Sequence, residues 1–408
     1  GLFYAALFLI YGIHLPYLPV WLDWRGLGAS EIGLVTAAPF FVRLAVTPVV
    51  AVFADQYGAH RSLVIALAWS ALAASVALAM APGFWSILLV AVVLSLAITT
   101  IMPLVETVAV SGVRNGGLDY GRMRLWGSVA FVAATFAGGA VIARAGAAAG
   151  VWMIVLGAAL TALAAHLLPH PRLAAGAERG RDPGREPAPV RMPRLDDARE
   201  LLRSPVFLLF LVAAGAIQGA HATFYTFGAL HWGNQGIKPV TVGVLWTIGV
   251  AAEIALFAWS GLVMQRMWAT TLLIAGGVAA VARWLLMAFD PPLAALLPLQ
   301  VLHGVTYGAA HLGAIHFIAR AVPDTTAGTA QAIYATVAAG IAMGAATLLS
   351  GHLFARYGGG GAYAGMTLVA AIGLAAAIMV RRLWDGERLG SAPPAALAEG
   401  VRLSPEEG

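Results

Sequence analysis

The sequence lacks cysteine entirely and contains a single lysine among its 408 residues. Without cysteine, disulfides, iron–sulfur clusters and cysteine-ligated zinc are all excluded. The one lysine, Lys238, follows Ile237, so the Gly-Lys-Ser/Thr of a phosphate-binding ATPase loop is absent. The sequence also has no His-Glu-x-x-His, no Gly-x-Ser-x-Gly and no dinucleotide fingerprint. We therefore expect no enzyme, no resident cofactor and no metal site.

Charged residues are scarce as well, at 11% of the chain against about 25% in soluble domains, while 60% of the residues are hydrophobic. The mean hydropathy is +0.84. Four long segments carry no Asp, Glu, Lys or Arg, namely 62–105, 204–237, 291–319 and 325–355. Each is long enough to cross a bilayer. This pattern excludes a soluble globular protein and predicts an all-α membrane protein surrounded by lipid.

Twelve apolar segments are candidates for membrane-spanning helices, six on each side of residues 169–203, a stretch with six prolines and eight arginines. We interpret 1–168 and 204–384 as two pseudo-symmetric six-helix halves, 169–203 as a cytoplasmic linker and 385–408 as a cytoplasmic tail. The expected spans are 2–22, 31–53, 62–81, 84–110, 121–143, 149–168, 205–232, 240–264, 268–289, 292–319, 326–354 and 361–381.

The basic residues are distributed unevenly between the two sides of the membrane. If alternate connections share a side, 17 basic residues lie on one side and four on the other. Because basic residues collect on the cytoplasmic side, both termini are expected there. The excess of arginine over lysine suggests a bacterial genome rich in GC, and hence the inner membrane. Topology explains the net charge of +5, so a nucleic-acid partner is not expected.

The connection between the second and third spans is Ala-Val-Phe-Ala-Asp-Gln-Tyr-Gly-Ala-His-Arg, from Ala51 to Arg61. It resembles the cytoplasmic loop signature of the major facilitator superfamily, Gly-x-x-x-Asp-x-x-Gly-x-Arg/Lys-Arg/Lys, although Ala51 and His60 replace its first glycine and its first basic residue. The resemblance implies a substrate held between two six-helix halves near the membrane midplane. It assigns Asp55, Gly58 and Arg61 to a cytoplasmic gate. An ordinary capped loop is the alternative.

Three ionisable residues of the first half, one of them Arg43 in the second span, stand within or at the edge of apolar spans, where such groups are costly and usually functional. Glu106 follows Pro103 in the fourth span, and Arg124 comes 18 residues later, near the start of the fifth. The Pro-x-x-Glu, this interval and the Gly-Arg-x-Arg run resemble the substrate-binding pair of lactose permease and its relatives. The resemblance implies that Glu106 and Arg124 bind substrate. A structural ion pair is the alternative.

Several segments, in order, resemble the phenylpropionate-transporter branch of the superfamily: 118–121, 124–131, 218–222, 245–246 with 249–253, and 300–303. This resemblance implies proton-coupled uptake of an aromatic carboxylate such as 3-phenylpropionate. A sugar or nucleoside proton symporter, proton-coupled efflux and, more remotely, a non-transporting membrane sensor remain as alternatives. Efflux is disfavoured because no proline, as in the Gly-Pro motif of drug antiporters, occurs between Pro103 and Pro169.

The second half departs from lactose permease where the proton relay of that family lies. Two of its residues are replaced here by Gln300 and Thr306, while one acid, Glu253, stands in the eighth span. A carboxyl in a poorly hydrated site binds and releases a proton as nearby charges move. The Glu106/Arg124 pair is the other candidate for binding the proton, and a static pair of Glu253 with Arg283 is the structural alternative. The expected proton-coupling residues are Glu253, Arg283, His303 and His311.

Other polar and aromatic side chains complete the expected substrate site. Each histidine among them is equally explained as a hydrogen bond between helices, and each aromatic as packing. Small-residue pairs in the seventh, tenth and eleventh spans, Gly215/Gly219, Gly304/Gly308 and Gly340/Gly344, predict close helix contacts. The expected partners are a small substrate, a proton and the lipid bilayer, and the protein is expected to be a monomer. The further substrate-binding candidates are His14, Trp126, Gln218, His221 and Tyr225.

Overall fold

A computed structural model gives the fold and describes residues 1–116, 119–169 and 195–389. Most of the expected linker and tail, 170–194 and 390–408, therefore lies outside the described residues, as does Leu118. The first half consists of six helices, α1 to α6, that run antiparallel through the bundle. Their bounds are Leu2–Trp24, Ala29–Tyr57, His60–Met80, Phe84–Gly116, Tyr120–Ala145 and Ala148–Ala165.

The second half begins with four apolar helices, two of which are interrupted. The interruptions lie after Gly219 in α7 and at the π-helical segment Gly304–Ala309 in α10. Breaks of this kind free backbone carbonyl groups and are common at transporter binding sites. The four helices α7 to α10 are Pro205–Asn234, Pro239–Ala258, Ala269–Met287 and Leu293–Ala321.

The last apolar helix, Ala327–Leu383, has 57 residues and corresponds to two spans. A straight helix of that length would measure about 85 Å, far more than the ~30 Å of a bilayer core. Gly358 interrupts it with φ 68° and ψ −169°, a conformation that favours glycine. It therefore divides into α11 (327–357), which contains the π-helical segment Ala335–Ala342, and α12 (359–383). The expected architecture of twelve spans, six in each half, is confirmed.

The span bounds agree with expectation to within a few residues, with two larger differences. α4 continues to Gly116, six residues beyond the expected end at residue 110, so the helix extends past the apolar segment. The eighth span ends at Ala258 and is followed by a separate short helix, Ser260–Arg266. Another short helix, Leu195–Arg203, lies at the end of the expected linker, and its Leu201 is buried against the second half.

The two halves touch near the end of the bundle that is farthest from residue 1. There α2 contacts α11, and α5 contacts α8. A Cβ added to Gly33 would lie 2.9 Å from the Cα of Gly351, and one added to Gly243 would lie 2.9 Å from the carbonyl oxygen of Thr135. Only glycine permits backbones to approach this closely. The bundle is therefore closed at this end.

Close contacts also occur at the three glycine pairs noted in the sequence. A Cβ on Gly219 would lie 3.1 Å from the carbonyl oxygen of Ala342, and one on Gly304 would lie 2.8 Å from that of Ala252. Gly344 packs in the same way against Phe41 of the first half, at 2.8 Å. The predicted close helix contacts are confirmed, and one of them joins the two halves.

Candidate functional site

A cavity of about 800 Å³ lies between the two halves, within the range that small-molecule sites occupy. Its wall is formed by α1, α2, α4 and α5 of the first half and by α7, α8, α10 and α11 of the second. Of the predicted substrate-binding and proton-coupling residues, four lie outside this wall: Glu106, Trp126, His221 and Arg283. The predicted residues that line it are His14, Arg124, Gln218, Tyr225, Glu253, His303 and His311.

The first-half wall carries the pair of Glu106 and Arg124. Arg124 Nε lies 3.8 Å from Glu106 Oε1, and the two side chains are 36% and 39% exposed. The Tyr120 hydroxyl donates a hydrogen bond to the same carboxylate oxygen at 3.2 Å. The Arg124 guanidinium lies over the ring of Phe8, 4.6 Å from its centroid. Glu106 and Phe8 thus position Arg124, which lines the cavity, while Glu106 does not line it.

Sequence reasoning overlooked Tyr120, although its spacing is informative. It precedes Arg124 by four residues, so both side chains share one face of α5 and meet Glu106 together.

Trp126 does not belong to the cavity. Its side chain is 60% exposed and lies beside residue 1, since a Cβ added to Gly1 would be 2.9 Å from Trp126 Cδ1. Arg124, Ser128 and Phe131 of the same helix line the cavity at helical spacing. A residue two positions after Arg124 is rotated by about 200° and therefore points to the opposite face.

The second-half wall is supported by a buried arginine, Arg283 of α9, which has no exposed surface. Its guanidinium donates to Gln300 Oε1 at 2.8 Å and to Thr306 Oγ1 at 3.2 Å. It also lies 3.1 Å from His303 Nδ1. The two residues that replace the lactose-permease relay thus bind Arg283 directly. From the sequence, Gln300 and Thr306 indicated only that the lactose-permease proton pathway is absent. Their contact with Arg283 was not predictable, because a sequence does not show which side chains surround a buried cation.

His303 lies between Arg283 and Glu253, so the cation and the carboxylate are linked through an imidazole. The Arg283 guanidinium is only a donor, which makes His303 Nδ1 the acceptor and leaves the proton on Nε2. His303 Nε2 is 3.5 Å from Glu253 Oε2. The direct Glu253–Arg283 pair, considered from sequence, is thus replaced by a chain of three groups. Glu253 is 22% exposed and faces the cavity.

His221 extends this chain on the side away from the cavity. It is fully buried at the break in α7, where its Nδ1 lies 3.1 Å from the carbonyl oxygens of Ile217 and Gln218. Its Nδ1 therefore donates, and its Nε2 accepts from Thr306 Oγ1 at 3.0 Å. Because all its hydrogen bonds are made within the protein, His221 fits the structural alternative, a hydrogen bond between helices.

His311 and His303 belong to one row of rings on α10. Tyr307 stands between them and is nearly parallel to both, with ring centroids 5.6 Å and 6.1 Å away. His311 Nδ1 also lies 3.3 Å from the hydroxyl of Tyr334 on α11. All four rings line the cavity. The row therefore extends from His303, which contacts Glu253, to Tyr334 in the first part of α11.

Aromatic rings form much of the remaining wall. Phe224 and Trp246 stack at 4.6 Å with an interplanar angle of 20°. Phe131 and Phe257 line the cavity as well. Phe224 also covers the Arg283 guanidinium at 4.9 Å. These rings give the cavity an aromatic wall, to which Trp126 does not contribute.

Arg43 connects the two halves beside the cavity. It donates a hydrogen bond to the carbonyl oxygen of Ala339, in the π-helical segment of α11, and lies 5.0 Å from the ring centroid of Phe40. A π-helix leaves carbonyl groups without their usual partners, which explains why Ala339 accepts a bond from another helix.

The expected gate residues lie within the first half in this conformation. Gly58 ends α2 in the left-handed region, with φ 59° and ψ 29°. Asp55 Oδ1 is 2.9 Å from His60 Nε2 at the start of α3. Arg61 donates to the carbonyl oxygens of His166 and Leu168 at the end of α6, at 2.8 Å and 2.7 Å. None of these bonds crosses to the second half, so their gating role stays a prediction.

Twelve spans in two halves around a central cavity define a secondary transporter of the major facilitator superfamily. Residues 1–364 match the family model described as MFS_1 like family, and the chain belongs to this family.

Among curated proteins, the chain is 31% identical to the probable 3-phenylpropionic acid transporter of Escherichia coli (strain K12), over 90% of this chain and 93% of that protein. It is 27% identical to the maltose permease of Geobacillus stearothermophilus, over 93% of each.

Solved structures show the same fold. The nucleoside transporter NupG superimposes with a TM-score of 0.78 at 17% identity, covering 93% of this chain and 96% of that one. A bacterial homologue of the human lysosomal transporter Spinster, in an inward-facing conformation, gives 0.72 at 15% identity, with 96% and 97% covered.

Proposed function

We propose that this transporter takes up a small aromatic carboxylate together with one proton by alternating access. One observation carries the proposal: the same aromatic cavity has an arginine, Arg124, on one wall and a carboxyl group, Glu253, on the other. The first suits a substrate carboxylate and the second suits a proton. The 31% identity to the E. coli protein named for 3-phenylpropionic acid supports this substrate class.

Substrate binding rests on the chemistry of Arg124. A guanidinium binds a carboxylate through two parallel hydrogen bonds, which fixes both the position and the orientation of the acid. Glu106 pairs with Arg124 at 3.8 Å without lining the cavity. An aromatic ring attached to the acid then meets the wall of Phe131, Phe224 and Trp246.

Coupling follows from the charge of Glu253. Glu253 and Arg124 line the same cavity from opposite halves, so a charge on one wall acts on the charge of the other. A substrate carboxylate at Arg124 brings a second negative charge near Glu253, and like charges in a poorly hydrated site repel. Protonation of Glu253 removes this repulsion, so the proton and the substrate bind together. His303, held by Arg283, keeps the carboxyl in place in both states.

The uneven distribution of basic residues supports the cytoplasmic membrane of a bacterium, with both termini in the cytoplasm. In that orientation the contact of α2 with α11 and of α5 with α8 closes the outer side. The cavity then opens inward, and substrate leaves where Arg124 is exposed. We propose that one chain is the transporting unit, because the cavity is formed between the two halves of a single chain.

A sugar is the second candidate substrate. The 27% identity to a maltose permease and the Glu106–Arg124 pair, whose polar groups also suit sugar hydroxyls, favour it. Charge separates the two candidates. Within the described residues, the cavity wall carries Arg43 and Arg124 but a single acid, Glu253, which favours an anion.

Uptake into proteoliposomes tests the proposal. Labelled 3-phenylpropionate and labelled maltose are each supplied with and without an inward acid gradient. Since the undissociated acid crosses bilayers unaided, the readout is the saturable initial rate after subtraction of protein-free liposomes. We expect saturable, gradient-stimulated uptake of the acid and none of maltose. Uptake of maltose alone would make a sugar, and not an aromatic carboxylate, the substrate. Uptake of neither compound would refute the proposed function.

A further inference from the structure

Two buried polar groups on the second-half wall have no hydrogen-bond partner within the described residues. They are the indole N–H of Trp246 and the side-chain oxygen of Gln218, on residues that are 2% and 6% exposed. Both side chains line the cavity. Buried polar groups nearly always have a partner, because an unmade bond leaves the desolvation cost uncompensated. A binding cavity is where a ligand supplies such a partner.

The surroundings fix the position of the Trp246 donor. Its ring is stacked on Phe224 and lies 6.1 Å from the ring of Tyr225, so it is held by packing on more than one side. A third group, Nε2 of His14 on α1, also lines the cavity and also lacks a partner. The three groups together offer a donor, an acceptor and an imidazole nitrogen, which takes either role.

These groups belong to different helices from Arg124. Trp246 lies on α8, Gln218 on α7 and His14 on α1, whereas Arg124 lies on α5. Arg124 is on the first-half wall and Trp246 and Gln218 are on the second-half wall, so an acid that is bound by its carboxylate at Arg124 and crosses the cavity presents its other end to Trp246 and Gln218. For an aryl acid that end is the ring. A plain hydrocarbon ring satisfies neither a donor nor an acceptor, but a hydroxyl group satisfies both.

We propose that the substrate carries a hydroxyl group on its aromatic ring, and that Trp246 and Gln218 recognise it. This inference rests on the proposed function, since it takes the carboxylate end as bound by Arg124. It makes Trp246 and Gln218 specificity-determining residues: they select a hydroxyaryl acid over the unsubstituted acid. A site built to bond a hydroxyl discriminates strongly against the analogue that lacks it.

The test compares three acids in proteoliposomes: 3-phenylpropionate, 3-(3-hydroxyphenyl)propionate and 3-(4-hydroxyphenyl)propionate. Each is measured by its concentration for half-maximal inhibition of saturable 3-phenylpropionate uptake. We expect at least one hydroxylated acid to inhibit at a concentration about tenfold lower than the unsubstituted one. A ratio near one for both would overturn the inference and mean that water satisfies these groups. Absence of saturable 3-phenylpropionate uptake would instead refute the proposed function.

Trp246→Phe keeps the stacking ring and removes the donor, so it should reduce the tenfold ratio of inhibitory concentrations toward one. Gln218→Leu should do the same independently. Trp284→Phe is the matched control, because the Trp284 N–H is also buried without a partner in the described structure, but Trp284 does not line the cavity. Its ratio should match that of the wild type. A full ratio retained in both cavity variants, or lost equally in the control, would contradict the assignment to these residues.

Discussion

Replacement of Glu253 by glutamine should abolish the pH dependence of substrate binding without abolishing binding. The amide has nearly the shape of the carboxyl, and it still accepts from His303 Nε2, which is 3.5 Å away in the wild type. It cannot ionise. In the wild type the substrate carboxylate and an ionised Glu253 would share one poorly hydrated cavity. Glutamine removes that repulsion permanently, as protonation does.

The size of the effect follows from Coulomb's law. If the two carboxylates approach to ~5 Å, they repel by about 3 kcal/mol at an effective dielectric constant of about 20, or roughly 150-fold in affinity. The substrate stays ionised above pH 6, because carboxylic acids titrate near pH 4 to 5. The wild-type affinity should therefore fall as the pH rises. Over the pH range in which one linked proton is released, the fall should be about tenfold per pH unit, and the total should be roughly 150-fold.

Calorimetry in detergent measures the dissociation constant of 3-phenylpropionate between pH 6 and pH 9 and avoids passive entry of the acid. The Glu253→Gln protein should bind tightly throughout, with less than about threefold variation. Glu106→Gln is the matched control, since Glu106 is an acid outside the cavity wall. It should lower affinity through Arg124 yet keep the wild-type slope. A wild-type slope in Glu253→Gln would refute the reasoning and move the proton to another group, with His303 and His311 the next candidates.

Three further substitutions test other parts of the account. Arg124→Lys should reduce substrate affinity at least about tenfold, because a point charge does not replace a bidentate fork, and unchanged affinity in calorimetry would remove Arg124 from the site. Gly243→Val should disfavour the closed contact of α5 with α8, where even a Cβ would lie 2.9 Å from a carbonyl oxygen. Cysteine single substitutions near that contact, in a chain with no other cysteine, should then react faster with a thiol reagent, and unchanged rates would contradict this. Arg61→Ala removes two hydrogen bonds to the end of α6 and should lower stability by about 1–3 kcal/mol, seen as a lower Tm in detergent. Loss of transport at unchanged Tm would instead support a gate at Arg61.

The fold was predictable because lipid imposes few solutions on an apolar chain. Every long charge-free segment has to satisfy its own backbone hydrogen bonds, so it becomes a helix, and the polar stretch 169–203 divides the helices into two sets. Helix ends were less predictable. α4 extends beyond its apolar segment, and the boundary between α11 and α12 depends on one residue, Gly358, in a glycine-rich run.

The candidate site was predictable where spacing along one helix decides contact, since His303 and His311 share a row on α10. Glu106 and Arg124 lie on different helices, and their pairing was expected only from the family resemblance. Trp126 illustrates the limit, since its proximity in sequence to Arg124 concealed a rotation of about 200°. The chain from Glu253 through His303 to Arg283 joins three helices, and only packing shows that an imidazole separates the two charges.

Electroneutral transport is the most direct test of the central claim, because one proton and one monocarboxylate move no net charge. The initial saturable rate of 3-phenylpropionate uptake is measured in proteoliposomes whose pH gradient and potassium diffusion potential are set separately. We predict that the rate rises with an inward acid gradient and does not respond to the potential. A rate that follows the potential, or that ignores the pH gradient, would contradict coupling to one proton.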